Sequence, residues 1–223
     1  KNNNFISVDE EKINNSQLLD FLNIIWITPI MEKIMLQSNS EKRNFFDRLI
    51  FNINKKHIKN HTKLQKLLSE RLLVIKKHTF DNDWLSIIEN SIAELSYEIM
   101  IAREKFIASI NQKLRAIKPP FNSCIIDMIH ELSNSSINLQ SSEFIEEYKN
   151  ILYSNRRIDS ELGRTTKTIN KVKIDLYNNL QKELEAKNCS TGEQKSILLS
   201  IFISVANLVK QRNNGRSPII LID

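Results

Sequence analysis

Ser190-Thr191-Gly192-Glu193-Gln194 places a hydroxyl and a glycine just ahead of an apolar stretch that should be helical from Gln194 to Arg212. A helix start offers unpaired N–H groups and the positive end of the helix dipole, so such a turn is a ready anion site. Glycine adds the freedom for a phosphate to approach the backbone closely. Farther on, Pro218-Ile219-Ile220-Leu221-Ile222-Asp223 reads as a buried apolar strand with a carboxylate at its tip. In an open α/β sheet that tip is where ligands bind, and a carboxylate there can hold Mg²⁺. Each feature alone is commonplace, since a Ser-x-Gly turn usually just caps a helix. Their order and spacing make the combination more specific.

These residues need elements to position them. Phe21 to Ile27 is a short apolar run that predicts a strand, and Thr28-Pro29 predicts a cap and the first position of a helix. After the polar break Ser38-Asn39-Ser40, helical spacing begins with Phe45, Phe46, Leu49 and Ile50. Leu64, Leu67, Leu68, Leu72 and Ile75 then fall within an arc of about 140°, with Lys55, Lys59, Lys63, Lys66 and Lys77 on the opposite side. From Asp83, a stripe of Leu85, Ile88, Ile92, Leu95, Ile99, Ala102 and Phe106 predicts a second long helix. The short stretch His78 to Asn82 between them implies an antiparallel hairpin with this stripe as its core. The run should end before Pro119-Pro120. Cys124 to Ile129 predicts a strand, and Ser141 or Ser142 should cap a helix carrying Phe144, Tyr148, Ile151 and Leu152 that stops near Gly163. Residues 164 to 180 are ambiguous, with Lys173 to Leu176 a candidate strand. Gly215 should provide a left-handed cap after Arg212.

The 223 residues include three glycines and four prolines, too few turn-formers for an all-β sandwich, so helix must dominate. The net charge is +6, but it is unevenly spread. Lys55 to Lys77 holds eight cations against the single Glu70, a local +7, which leaves −1 for the rest. That stretch is a candidate surface for an anionic partner. Cys124 and Cys189 fit no metal or disulfide framework, which makes reduced thiols the expectation. His57 and His61 lie four apart on one helix without a visible third metal ligand. Trp26 and Trp84 read as packing residues. No run approaches the roughly 18 apolar residues of a membrane span, and Lys1-Asn2-Asn3-Asn4 does not read as a signal peptide.

Ser190-Thr191-Gly192-Glu193-Gln194-Lys195-Ser196, the helix after it and Ile219-Ile220-Leu221-Ile222-Asp223 resemble the signature motif and Walker B strand of ABC-type ATPases, specifically the RecF family. Trp26-Ile27-Thr28-Pro29-Ile30-Met31-Glu32 and Arg43-Asn44-Phe45-Phe46-Asp47-Arg48-Leu49 are similar to stretches flanking the family's helical lobe. Asn155-Arg156-Arg157-Ile158-Asp159 through Gly163-Arg164-Thr165 is similar to the stretch re-entering the ATPase lobe.

The resemblance implies a mixed, mainly helical fold: a partial α/β ATPase lobe with an inserted helical hairpin. Residues 1–40 and 158–223 would belong to the ATPase lobe and 41–157 to the arm. It implies a cytoplasmic, nucleoid-associated DNA-binding ATPase that dimerises with ATP and Mg²⁺ at duplex–single-strand junctions. With RecO and RecR proteins it would help load a recombinase. Ser190, Thr191, Gly192 and Glu193 would meet the ATP of the opposite subunit, and Asp223 would coordinate Mg²⁺. The basic residues Lys55, Lys56, Lys59, Lys63 and Lys66 are candidate DNA contacts. The sequence departs from the family in having no Gly-x-x-x-x-Gly-Lys-Ser/Thr loop and no glutamate after Asp223. It should therefore be an internal piece of a longer protein or a truncated product, without ATP hydrolysis or a catalytic residue of its own. Thr168-Ile169-Asn170-Lys171 also stands where the family has a Gly-Pro-His-Arg stretch. The alternatives are an SMC/Rad50-like ATPase head, which would need a longer coiled coil, and a non-enzymatic helical interaction module.

Overall fold

The computed structural model describes residues 6–8, 11–13, 23–77, 82–133, 141–179, 184–213 and 215–222. The described residues form six strands and six α-helices. A hairpin of β1 (Ile6–Val8) and β2 (Glu11–Ile13) precedes β3 (Ile24–Ile27), then α1 (Asn39–Phe51), α2 (Lys55–Ile75) and α3 (Asn82–Leu114). Next come β4 (Cys124–His130), α4 (Ser141–Ser154), α5 (Arg156–Leu162), β5 (Val172–Asn178), α6 (Thr191–Arg212) and β6 (Ile219–Ile222). Each two-stranded sheet joins distant or adjacent segments. β3 and β6 are parallel with Ile24 opposite Ile219, and β4 and β5 are antiparallel with Cys124 opposite Asn178. No described helix is long and apolar enough to cross a membrane.

The helices start where the sequence supplies caps. Ser38 and Glu41 form a reciprocal capping box on α1, and Asn54 accepts the Lys56 N–H at the start of α2. Gly163 ends α5 in the left-handed region at φ 64°. Thr28-Pro29 opens a 3₁₀ helix over Pro29–Leu36 rather than an α-helix, with Met31 and Ile34 buried three apart, the 3₁₀ repeat. The single helix expected from Ser141 to Gly163 is two, because the chain breaks at Asn155, whose side chain donates back to the Ile151 carbonyl.

Two apolar cores result. One gathers Ile25 and Ile27 of β3, α1, the end of α3, β4, β5 and α6. The other packs Leu64 and Leu68 of α2 against Ile88, Ile92, Leu95 and Ile99 of α3, with Phe144, Tyr148 and Leu152 of α4 above them. The expected hairpin is present, and its stripe is core from Leu85 to Ile99 and again at Phe106, with Ala102 only half-buried. At 33 residues, α3 is about 50 Å long and enters both cores, so it carries the register of one to the other. The architecture is a mainly helical α/β arrangement with a helical hairpin inserted between sheet-forming segments.

β6 is not the buried strand that its composition predicts. Ile219, Ile220 and Leu221 are 47%, 42% and 52% exposed, and Trp26 of β3 is 41% exposed beside them. Among the described residues β3 is the one strand neighbour of β6, and the core packs on the Ile25 and Ile27 side of β3.

His130, the last residue of β4, is buried, and burial together with the nearby Arg103 charge lowers its pKa to about 4. The unfolded chain should bind a proton near pH 6.5, so it gains protons first as pH falls, and stability should drop between pH 6.5 and 4. The expected contribution is about 3 kcal/mol over that window. His130→Leu should flatten that part of a urea-midpoint profile. An unchanged slope would refute the assignment.

Candidate functional site

A short 3₁₀ turn, Ala186–Asn188, brings the chain from β5 to α6. Gln194 is buried and its amide donates to the carbonyls of Lys187 (3.1 Å) and Cys189 (2.9 Å), which pins the turn from inside. Asn178, at the end of β5, lies 3.7 Å from the Cys189 sulfur. Ser190 is then the N-cap. Its hydroxyl accepts weakly from the Glu193 N–H (3.4 Å) and donates to Glu193 Oε2 (2.7 Å), which also accepts from the Ser190 N–H (2.8 Å). Those hydrogen bonds hold the Glu193 carboxyl below its usual pKa.

The helix therefore begins at Thr191, three residues earlier than apolar spacing alone indicates, because Ser190 and Glu193 form a capping box. Ser190, Thr191 and Gly192 are all exposed, and the space where a Gly192 Cβ would stand is open for 4 Å. The turn thus has the access and donors an anion needs. Its present acceptor is the Glu193 carboxylate, so an incoming phosphate must displace that group from the Ser190 hydroxyl or share it. α6 is rigidly seated behind the turn. Ile197, Ile201, Phe202 and Val205 are buried, Ser196 accepts from the Asn122 N–H, and Ser200 donates to the Asn122 carbonyl. Lys195 pairs with Glu32 of the 3₁₀ helix at 3.0 Å.

Asp223, the expected metal ligand, lies outside the described residues. The strand leading to it runs parallel to β3, with Ile222 opposite Ile27.

The basic face of α2 is smaller than the charge count implies. Lys59, Lys63 and Lys66 are exposed, and Lys63 is near enough to Glu98 to help hold that carboxyl below its usual pKa. Lys56 is exposed but bridges to Glu98 of α3 at 2.8 Å, and Lys55 is half-buried, its pKa lowered by burial. Arg71, counted with that run, turns inward and is completely buried. Its guanidinium donates to Glu89 (2.9 Å), Asp159 (2.6 Å) and the Leu152 carbonyl (2.7 Å), while Arg156 reaches the other oxygen of Glu89 at 2.6 Å. This network joins α2, α3, α4 and α5. The sequence carried a signal for it: Leu64, Leu68, Arg71 and Ile75 keep the core spacing, so a charge sits in the buried phase.

A second buried network sits where α1 meets the hairpin. Arg103 of α3 grips Asp47 of α1 with two bonds, Nε to Oδ1 at 2.9 Å and Nη2 to Oδ2 at 2.8 Å, and donates Nη1 to the Ile169 carbonyl. His57 Nε2 stands 3.0 Å from Asp47 Oδ1, and His61 Nε2 stands 3.6 Å from Oδ2. Burial pushes the Asp47 pKa up, but the surrounding His57, His61 and Arg103 outweigh it and hold the carboxyl well below its usual range. The Thr168–Lys171 stretch, of unassigned role in the sequence, is a turn of carbonyl acceptors here. Ile169 accepts from Arg103 and Asn170 accepts from Arg43 at 2.7 Å.

No protein-family model matches the chain. It is 32% identical over 222 residues to the DNA replication and repair protein RecF of Rickettsia prowazekii (strain Madrid E), and 31% identical over 222 residues to that of Rickettsia typhi (strain ATCC VR-144 / Wilmington). Both alignments cover 100% of this chain and 61% of the relative, so the chain spans about three fifths of the curated proteins that it matches. Two solved structures share its fold, described as the recombination mediator protein RecF with ATPrS and with ATP in the RecFOR pathway. Their TM-scores are 0.79 and 0.80 at 19% identity, covering 98% of this chain and 60% and 59% of theirs. Sequence and fold thus agree from end to end: the chain is similar to RecF proteins along its whole length and matches about three fifths of theirs.

Proposed function

We propose that the chain serves within a RecF-type recombination mediator, an ATP-binding DNA repair protein that dimerises with nucleotide on duplex DNA near single-strand junctions. The observation that carries this reading is the self-capped Ser190–Glu193 turn, exposed at the start of a firmly packed α6, in a chain similar to RecF along its whole length. Ser190, Thr191, Gly192 and Glu193 would contact ATP held by the opposite subunit, and Asp223 would hold Mg²⁺ in its own. RecO and RecR proteins would be its partners in recombinase loading. The division proposed is an ATPase lobe of residues 1–40 and 158–223 and an arm of 41–157, although α1, the end of α3 and β4 share one core with β3, β5 and α6, so the packing crosses those boundaries. The test is the association state of a chain of the relatives' full length. It should be monomeric alone and dimeric with ATP, and monomers at saturating ATP would overturn the reading.

Duplex DNA would lie along the exposed lysines of α2. Each phosphate contact contributes about 0.9 to the slope of log affinity against log salt. Reversing Lys59, Lys63 and Lys66 to glutamate should remove up to about three units of slope and weaken binding at low salt by at least about tenfold. An unchanged salt titration would return those lysines to plain solvation. The Lys56→Ala variant should change affinity less, since Glu98 already neutralises that ammonium.

A further inference from the structure

We propose that Asp47, His57 and His61 form a binding site for a divalent transition metal such as Zn²⁺, Co²⁺ or Ni²⁺, placed at the joint between α1 and α2. Sequence spacing presents only the two imidazoles, one turn apart on α2. The fold adds a carboxylate from α1, and the three candidate ligand atoms all lie within 4.8 Å of one another. The individual separations, 3.0 Å from His57 Nε2 to Oδ1 and 3.6 Å from His61 Nε2 to Oδ2, bracket the roughly 3.3 Å between ligands of a tetrahedral ion with bonds of about 2.0–2.1 Å. The His61 Nε2 atom is buried with no hydrogen-bond partner, and the rings of His57 and His61 stand 4.5 Å apart, edge to face. That nitrogen faces the carboxylate at 3.6 Å, a separation that a shared ion could bridge.

The chemistry of the donor set selects the metal. Arg103 occupies one lone pair on each Asp47 oxygen and Arg43 stands 4.0 Å from Oδ2, so the carboxylate's charge is already shared. Each oxygen keeps a second lone pair for a ligand bond. A shared carboxylate is a poor host for Mg²⁺ or Ca²⁺, which need several oxygen ligands, whereas two imidazoles favour Zn²⁺, Co²⁺, Ni²⁺ or Cu²⁺. His61 is the route of access, with 17% of its side chain exposed. Water would complete the coordination. The bound ion would staple α1 to α2 across the three-residue connection Asn52–Asn54 and stiffen the root of the hairpin.

Titrating the 223-residue chain with Co²⁺ should produce the intense visible bands of a tetrahedral site at one equivalent, and Zn²⁺ should displace them. His61→Ala, at the partly exposed ligand, should weaken Co²⁺ binding by more than about tenfold, since even outer-sphere changes cost that much. His57→Gln should do the same, with circular dichroism establishing that each variant is folded. Absence of the bands in the unsubstituted chain overturns the proposal, as does equal Co²⁺ affinity in folded His61→Ala. Loss of ATP-dependent dimerisation in the longer protein would leave the metal titration untouched, so the two readings fail separately.

Discussion

Arg103→Met is expected to destabilise the chain by about 3–5 kcal/mol, a large share of the 5–15 kcal/mol typical of a folded protein. The guanidinium is fully buried and makes two bonds to Asp47 and one to the Ile169 carbonyl. Removing it leaves an ionised carboxylate and a backbone oxygen in the interior, and the uncompensated charge, not the lost contact, sets the cost. Asp47→Ala should cost a similar amount by stranding the arginine. Replacing both should cost clearly less than the two losses added, because the double variant strands neither charge. Urea midpoints of the four chains measure this cycle. A single-variant loss below about 1 kcal/mol would mean that water reaches the pair and the network is dispensable.

In a protein of the relatives' full length, Ser190→Arg is expected to abolish ATP-dependent dimerisation, raising the dimer dissociation constant by at least about a hundredfold, or about 2.7 kcal/mol. The substitution removes the hydroxyl and fills the open space in front of Gly192 with a long side chain. Loss of the cap should itself cost only about 1 kcal/mol of helix stability, so the protein stays folded. Ser190→Ala separates the effects: it removes the cap and the hydroxyl without adding bulk, and should weaken the dimer by a smaller factor. Dimers of Ser190→Arg that persist at the wild-type ATP concentration would count against the signature assignment.

Local chemistry made much of this chain legible before its fold was known. Apolar residues at helical spacing located α2 and α3, because that repeat is the geometry of a half-buried helix, while the polar turn at Ser190 and the glycine at Gly215 bracketed α6. Ser38, Ser190 and Gly163 marked helix boundaries because caps act within one turn. The RecF resemblance likewise rests on short contiguous stretches whose order survives in the sequence.

What required the tertiary structure is everything that depends on partners distant along the chain. Arg71 counted toward a basic face in the sequence, yet it is drawn inward by Glu89 and by Asp159, 88 positions away. His57 and His61 lacked a third ligand until α1 brought Asp47 beside them. β6 looked buried because its residues are apolar, but burial is set by what packs over a strand, and β3 is its described neighbour. A charged residue in a buried phase signals only that some counter-charge must meet it. Which one does so is decided by helix crossing and register, because desolvation makes an unpaired buried charge too costly to tolerate.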